Sequence, residues 1–116
     1  MNSLINIKQL AIDTTIGVYD FEKTIKQRLL ISVTLRYNIS QAMKSDELAD
    51  TFDYAQLSQH LIETLENNRY QLIERVVDEI EQILTQHFQL THYKIEIEKP
   101  SALKKANGVS VILDKL

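Results

Sequence analysis

The apolar residues of this chain change their spacing twice along its length, and that change restricts the fold more than any other feature. Between residues 29 and 37 they alternate, with Leu29, Ile31, Val33, Leu35 and Tyr37 on one face and Ser32, Thr34 and Arg36 on the other. From residue 53 the spacing lengthens to that of a helix. Asp53, with Gln56 three residues later, forms a variant capping box that starts a helix at Tyr54, whose stripe is Tyr54, Leu57, Leu61 and Leu65 and whose end lies near Asn67 and Asn68. A second one-sided helix is predicted from about Gln71 to Phe88, carried by Ile73, Val76, Val77, Ile80, Leu84 and Phe88. Alternation then returns at 92–99 and 109–115, and a first strand at 3–13 runs up to Thr14, Thr15, Ile16 and Gly17. The order is β-β-α-α-β-β.

Two hairpins around a helical pair predict an α+β domain, a four-stranded antiparallel sheet with both helices on one face. The other face would carry Ser32, Thr34, Arg36, Lys94, Glu96, Glu98 and Ser110, a polar surface suited to solvent or to a water-filled lumen. Pairing of edge strands between subunits would close such sheets into a barrel and remove their open edges.

At 116 residues the chain holds one domain, 1–116, with a core of useful size. Its 2 glycines and 1 proline, Gly17, Gly108 and Pro100, act as punctuation, and nothing reads as a linker or repeat. The absence of cysteine removes disulfides, thiolate nucleophiles and thiolate metal sites. A net charge of -3 without any basic block argues against nucleic acid as a partner. No apolar run approaches the roughly 20 residues that span a bilayer and no basic leader precedes one, so no membrane partner and a cytoplasmic location are expected.

Lys99 is the residue most out of keeping with its pattern. Alternation puts it on the face of Tyr93, Ile95 and Ile97, and Pro100 stops the strand at once. It is either an edge residue snorkelling outward or an amine in a partly dry pocket, where its pKa can fall. Glu74, in the first turn of the second helix, is either a partner of the helix dipole or a carboxylate set beside free N–H donors. The latter pair is complementary to a 2-amino-4-oxo heterocycle of guanine or pterin type. Tyr54 reads as a core aromatic with its hydroxyl reaching water, Glu22 as a solvated acid and Gly17 as a turn residue. Asp46, Glu47 and Asp50 read as an exposed acidic loop. His60, His87 and His92 lack short ligand spacing and read as surface histidines, so no metal site is expected.

Taken together, residues 15–22 (Thr15 to Glu22), 51–55 (Thr51 to Ala55), 72–76 (Leu72 to Val76) and 97–100 (Ile97 to Pro100) resemble the dihydroneopterin aldolase family of folate biosynthesis. The four short motifs stand in the right order at the right separations, and the resemblance covers nearly the whole chain. The resemblance implies the tunnelling fold, with subunits joined through their sheets into barrels, typically octamers. It makes Lys99 the general base and acid with Tyr54 assisting, and gives pterin binding to Glu74, Ile73, Tyr54 and Glu22, with sites between adjacent subunits. It implies no cofactor, because the N5=C6 imine of the substrate accepts the electrons. Dihydroneopterin triphosphate 2'-epimerase is a relative with the same fold, and Lys23, Lys26, Lys104 and Lys105 are candidates for holding a triphosphate. A pterin-binding ring protein without turnover is a further alternative.

Overall fold

The computed structural model describes residues 2–116. Its elements in chain order are β1 (Leu4–Ile16), β2 (Gln27–Arg36), α1 (Ser40–Ser45), α2 (Tyr54–Glu66), β3 (Arg69–Tyr70), α3 (Ile73–Gln82), β4 (Tyr93–Lys99) and β5 (Val109–Lys115). The architecture is α+β, with a mixed sheet in the order β3-β1-β2-β4-β5. The core forms where alternation and helical stripe meet. Leu29, Ile31, Val33 and Leu35 of β2 and Tyr93, Ile95 and Ile97 of β4 are buried against Leu57, Leu61 and Leu65 of α2 and Val76, Val77 and Ile80 of α3. Both long helices therefore cover one sheet face. No helix among the described residues is long and apolar enough to cross a membrane.

Three features differ from expectation. The sheet has a fifth strand, β3, which pairs parallel to β1 through Thr15 with Arg69 and Ile16 with Tyr70. Two residues are too short to show a period, and their pairing depends on α2 carrying the chain back to the end of β1. A short helix, α1, occupies the segment before the acidic loop; it ends on Asp46 in a left-handed conformation at φ 57. Tyr54 is 60% exposed rather than part of the buried stripe, because as the first helical residue it lies beyond the sheet surface that Leu57 reaches.

The N-cap at Asp53 is present, its carboxylate accepting from Gln56 N–H at 3.1 Å. At the other end of α2, Asn67 and Asn68 donate back to the carbonyls of Glu63 and Thr64 at 2.6 and 2.8 Å, which explains why the helix stops there. Buried Thr14 donates to the Leu65 carbonyl, and Glu66 accepts from Asp13 N–H at 2.9 Å. These contacts fix the C-terminal end of α2 on β1. The sheet thereby receives β3, and the start of α3 is set beside Gly17.

Beyond α3, the chain continues helically from Ile83 to His87 in a wider π turn and ends on Gln89 at φ 52. His60 and His87 meet there across the two helices, ring centroids 4.3 Å apart. Among the described residues no group of three potential ligands surrounds a metal position.

Candidate active site

Lys99 ends β4 because Pro100 cannot continue the ladder. Its ammonium does not face an apolar pocket. It donates to Glu22 Oε2 at 2.6 Å, and the two side chains are only 12% and 7% exposed. Glu22 is thus a buried acid rather than a solvated one, carried inward by the 3-10 turn Asp20–Thr24. Gln27, at the start of β2, donates from Nε2 to the same carboxylate oxygen at 2.8 Å, and Tyr19 N–H donates to Oε1 at 3.3 Å. The Gln27 amide, then the Lys99 ammonium, and to a lesser extent Tyr19 N–H hold the Glu22 carboxyl at about 2, against the opposing effect of burial.

Gly17 makes room for this arrangement. It has φ +141, and a Cβ there would collide with the Glu22 carboxylate. Its N–H donates to the Tyr70 carbonyl at 3.1 Å, tying the end of β1 to β3.

Opposite the ion pair stands the start of α3. Leu72 occupies the N-cap with an extended backbone and no side-chain acceptor, so the helix-initial N–H groups receive no cap from it. Ile73 and Glu74 follow, and the Glu74 carboxylate is exposed with no cationic partner among the described residues. Glu22, Ile73, Glu74 and Lys99 line one recess of about 230 Å³, roofed in part by Tyr19 and Ala102. Four of the five sequence-predicted residues converge.

Tyr54 does not join them. It begins α2, whose other end is fixed to β1 beside the recess; a 13-residue helix is about 20 Å long, well beyond the reach of a tyrosine. Sequence reasoning also missed Gln27. Its only signal was a lone polar residue opening a strand, five positions after an acid.

The chain matches the family model for FolB dihydroneopterin aldolase over residues 5–114. It is 36% identical over 112 residues to dihydroneopterin aldolase of Escherichia coli (strain K12), covering 97% of this chain and 92% of that protein. It is also 32% identical over 111 residues to dihydroneopterin triphosphate 2'-epimerase of the same organism, covering 96% and 92%. The solved structure of E. coli dihydroneopterin aldolase in complex with neopterin superposes with a TM-score of 0.93 at 35% identity, over 98% of this chain and 99% of that one. A recess joining a carboxylate at a helix start, without a cationic partner among the described residues, to a partly buried lysine accompanies family-level similarity along nearly the whole chain: the protein belongs to the FolB dihydroneopterin aldolase family, a family of lyases.

Proposed function

We propose that this protein is a 7,8-dihydroneopterin aldolase, releasing 6-hydroxymethyl-7,8-dihydropterin and glycolaldehyde by retro-aldol cleavage. The observation that carries this reading is the placement of Lys99 and Glu22 across one recess from Glu74 and the uncapped start of α3. Glu74 accepts two N–H bonds from the 2-amino edge of the pterin, while backbone N–H groups at Ile73 and Glu74 donate to its carbonyl. The trihydroxypropyl chain then points toward Lys99.

The Lys99 ammonium first releases a proton to solvent, and the amine so formed takes the proton of the 2'-hydroxyl as the C1'–C2' bond breaks. The electron pair moves into C1'=C6 and onto N5, giving an enamine and free aldehyde. The ammonium so formed returns its proton to C1', which restores the N5=C6 imine and the neutral amine. Proton and electrons balance within the cycle, and Glu22 accompanies the charged phase of Lys99 as its counter-ion.

Tyr54 of a second copy completes the site. Supporting this, Tyr54 lies outside its own recess, and the rim is unusually apolar for free surface: Tyr19 and Phe21 stack at 6.1 Å and are 67% and 66% exposed, with Leu72 at 53%. The far edges of β5 and of the N-terminal part of β1 carry no partner strand among the described residues. Joining these edges between copies gives the closed homo-oligomer, an octamer of two rings.

The experiment is incubation of the purified protein with 7,8-dihydroneopterin in the presence of EDTA, with product chromatography. Hydroxymethyl-dihydropterin and glycolaldehyde are the expected products; unchanged substrate overturns the reading. Epimerisation at C2' is the second reading, favoured by the 32% identity to the epimerase, since re-addition of the retained aldehyde inverts that carbon. Dihydromonapterin among the products measures it. A pterin-binding protein without turnover would bind substrate and convert none.

A further inference from the structure

Gln27 touches the ion pair of the recess without lining the recess itself. It opens β2, where it pairs across the ladder with Thr14, so its backbone belongs to the sheet. Its Nε2 carries two N–H groups, and both are committed: one donates to Glu22 Oε2 and the other to the Ile16 carbonyl, each at 2.8 Å. Turning the amide over would set its carbonyl oxygen against those two acceptors, so the chemistry allows one orientation. Oε1 then faces Ser101, two residues beyond Lys99, whose hydroxyl donates to it at 3.5 Å.

The carboxylate that Gln27 grips has little else of the sheet to hold it. Glu22 sits in the 3-10 turn Asp20–Thr24, outside the ladders, and its other partners are Tyr19 N–H at 3.3 Å and Lys99. Gln27 and Lys99 donate to the same oxygen, Oε2, at 2.8 and 2.6 Å. Their bonds are not equivalent through a catalytic cycle. The charge on a base comes and goes, whereas an amide donates at every stage. When the amine is neutral, Glu22 keeps a buried charge whose counter-ion has gone, and such a group moves toward water unless hydrogen bonds retain it. The Gln27 bond is the shorter of the two that remain, and the amide is also the leading influence holding the Glu22 carboxyl at about 2.

We propose that Gln27 is a positioning residue for catalysis: it anchors Glu22 to the end of β1 while Lys99 is neutral, so that the amine stays aligned with the substrate and its re-formed ammonium meets the counter-ion where it left it. The assignment rests on the reading that Lys99 is the base of a retro-aldol cleavage. A line of contacts runs from the β1–β2 ladder through the amide and the carboxylate to the reacting nitrogen.

The test compares Gln27→Met, which keeps the length of the side chain and removes its hydrogen bonds, with Glu22→Gln and with the double variant. Steady-state turnover of 7,8-dihydroneopterin and equilibrium binding of neopterin are measured on each. For Gln27→Met, kcat is expected to fall about ten- to a hundredfold, the effect of a small misplacement of a reacting group. KM and the affinity for neopterin should stay within about threefold, because Glu74 and the start of α3 are untouched. The two losses should not multiply: kcat of the double variant should lie within about threefold of Glu22→Gln alone, as for groups acting through one another. A role in folding alone would instead lower the melting temperature and the yield of active protein while leaving kcat per binding site intact. Should Gln27→Met not fold, Gln27→Asn, whose amide is one methylene short of Glu22, takes its place with the same expected loss. Unchanged kcat in the variant, or losses that multiply in the double variant, overturns the proposal. Wild-type protein that binds neopterin and converts no substrate overturns the aldolase reading together with this one, and that result is recognised before any variant is made.

Discussion

The side chain that Gly17 lacks is the space that the Glu22 carboxylate fills. Five residues apart, the two are locked together: the glycine adopts φ +141, and the carboxylate turns inward over it to meet Gln27 and Lys99. Gly17→Ala is therefore expected to expel Glu22 from its position as well as to strain the backbone. Strain at positive φ alone costs about 1 kcal/mol or more. Turnover should fall by more than the change in melting temperature accounts for, which steady-state kinetics on the folded variant would show.

Lys99→Ala leaves Glu22 buried with Gln27 and Tyr19 but without its counter-ion. Stability is expected to drop by about 1–3 kcal/mol, the cost of an unpaired charged group that retains other hydrogen bonds. Chemical turnover should be lost while pterin binding through Glu74 survives. Urea denaturation and equilibrium binding of neopterin check the two parts separately.

The Glu22 carboxyl is held at about 2, below its ordinary 4.5. A group depressed in the folded state binds protons more readily when unfolded, so its contribution is complete above pH 4.5 and is lost as pH falls toward 2. Glu22→Gln should flatten the stability profile in that window and lower the plateau above it. Denaturation midpoints measured between about pH 6 and pH 2 test the sign.

Tyr70 is buried and its hydroxyl has no hydrogen-bond partner, with Asn68 alongside but outside bonding geometry; burial, followed by the nearby Glu79 charge, pushes the phenol up to about 12. Removing an unsatisfied buried hydroxyl should help. Tyr70→Phe is expected to stabilise the protein by about 1 kcal/mol, read as a raised melting temperature.

If the site is shared between copies, Lys99→Ala and Tyr54→Ala subunits should each be inactive alone and regain activity when unfolded together and refolded as a mixture. Assay of the mixed sample against the two separate ones decides this. No recovery would mean that each site is built from one chain.

The elements whose side chains repeat could be read from residue order alone. Leu29 to Leu35, Tyr93 to Ile97 and the stripes of α2 and α3 were legible because a long run of regularly spaced apolar residues can be buried in only one way. Lys99 stood out as a candidate because it departs from such a run, and Glu74 because it falls in the first turn of a helix that the stripe of α3 located. Even the irregularity in β1 has a trace: Ile5 and Ile7 are out of phase with Leu10, Ile12 and Ile16, and the ladder slips between Ile7 and Leu10, where Gln9 takes φ 51.

Everything else depended on how distant segments pack. β3 has two residues and no period, so its parallel pairing exists only once α2 has returned the chain to Ile16. Glu22, Gln27 and Lys99 span 77 positions from first to last, and no local pattern links a turn, a strand start and a strand end. Tyr54 follows the helical spacing of its stripe yet stands in solvent, because period reports which face a residue occupies and not whether the sheet extends beneath it. Spacing along the chain records local geometry; which groups share a recess depends on loop closure and on packing between distant segments, and those are properties of the folded molecule.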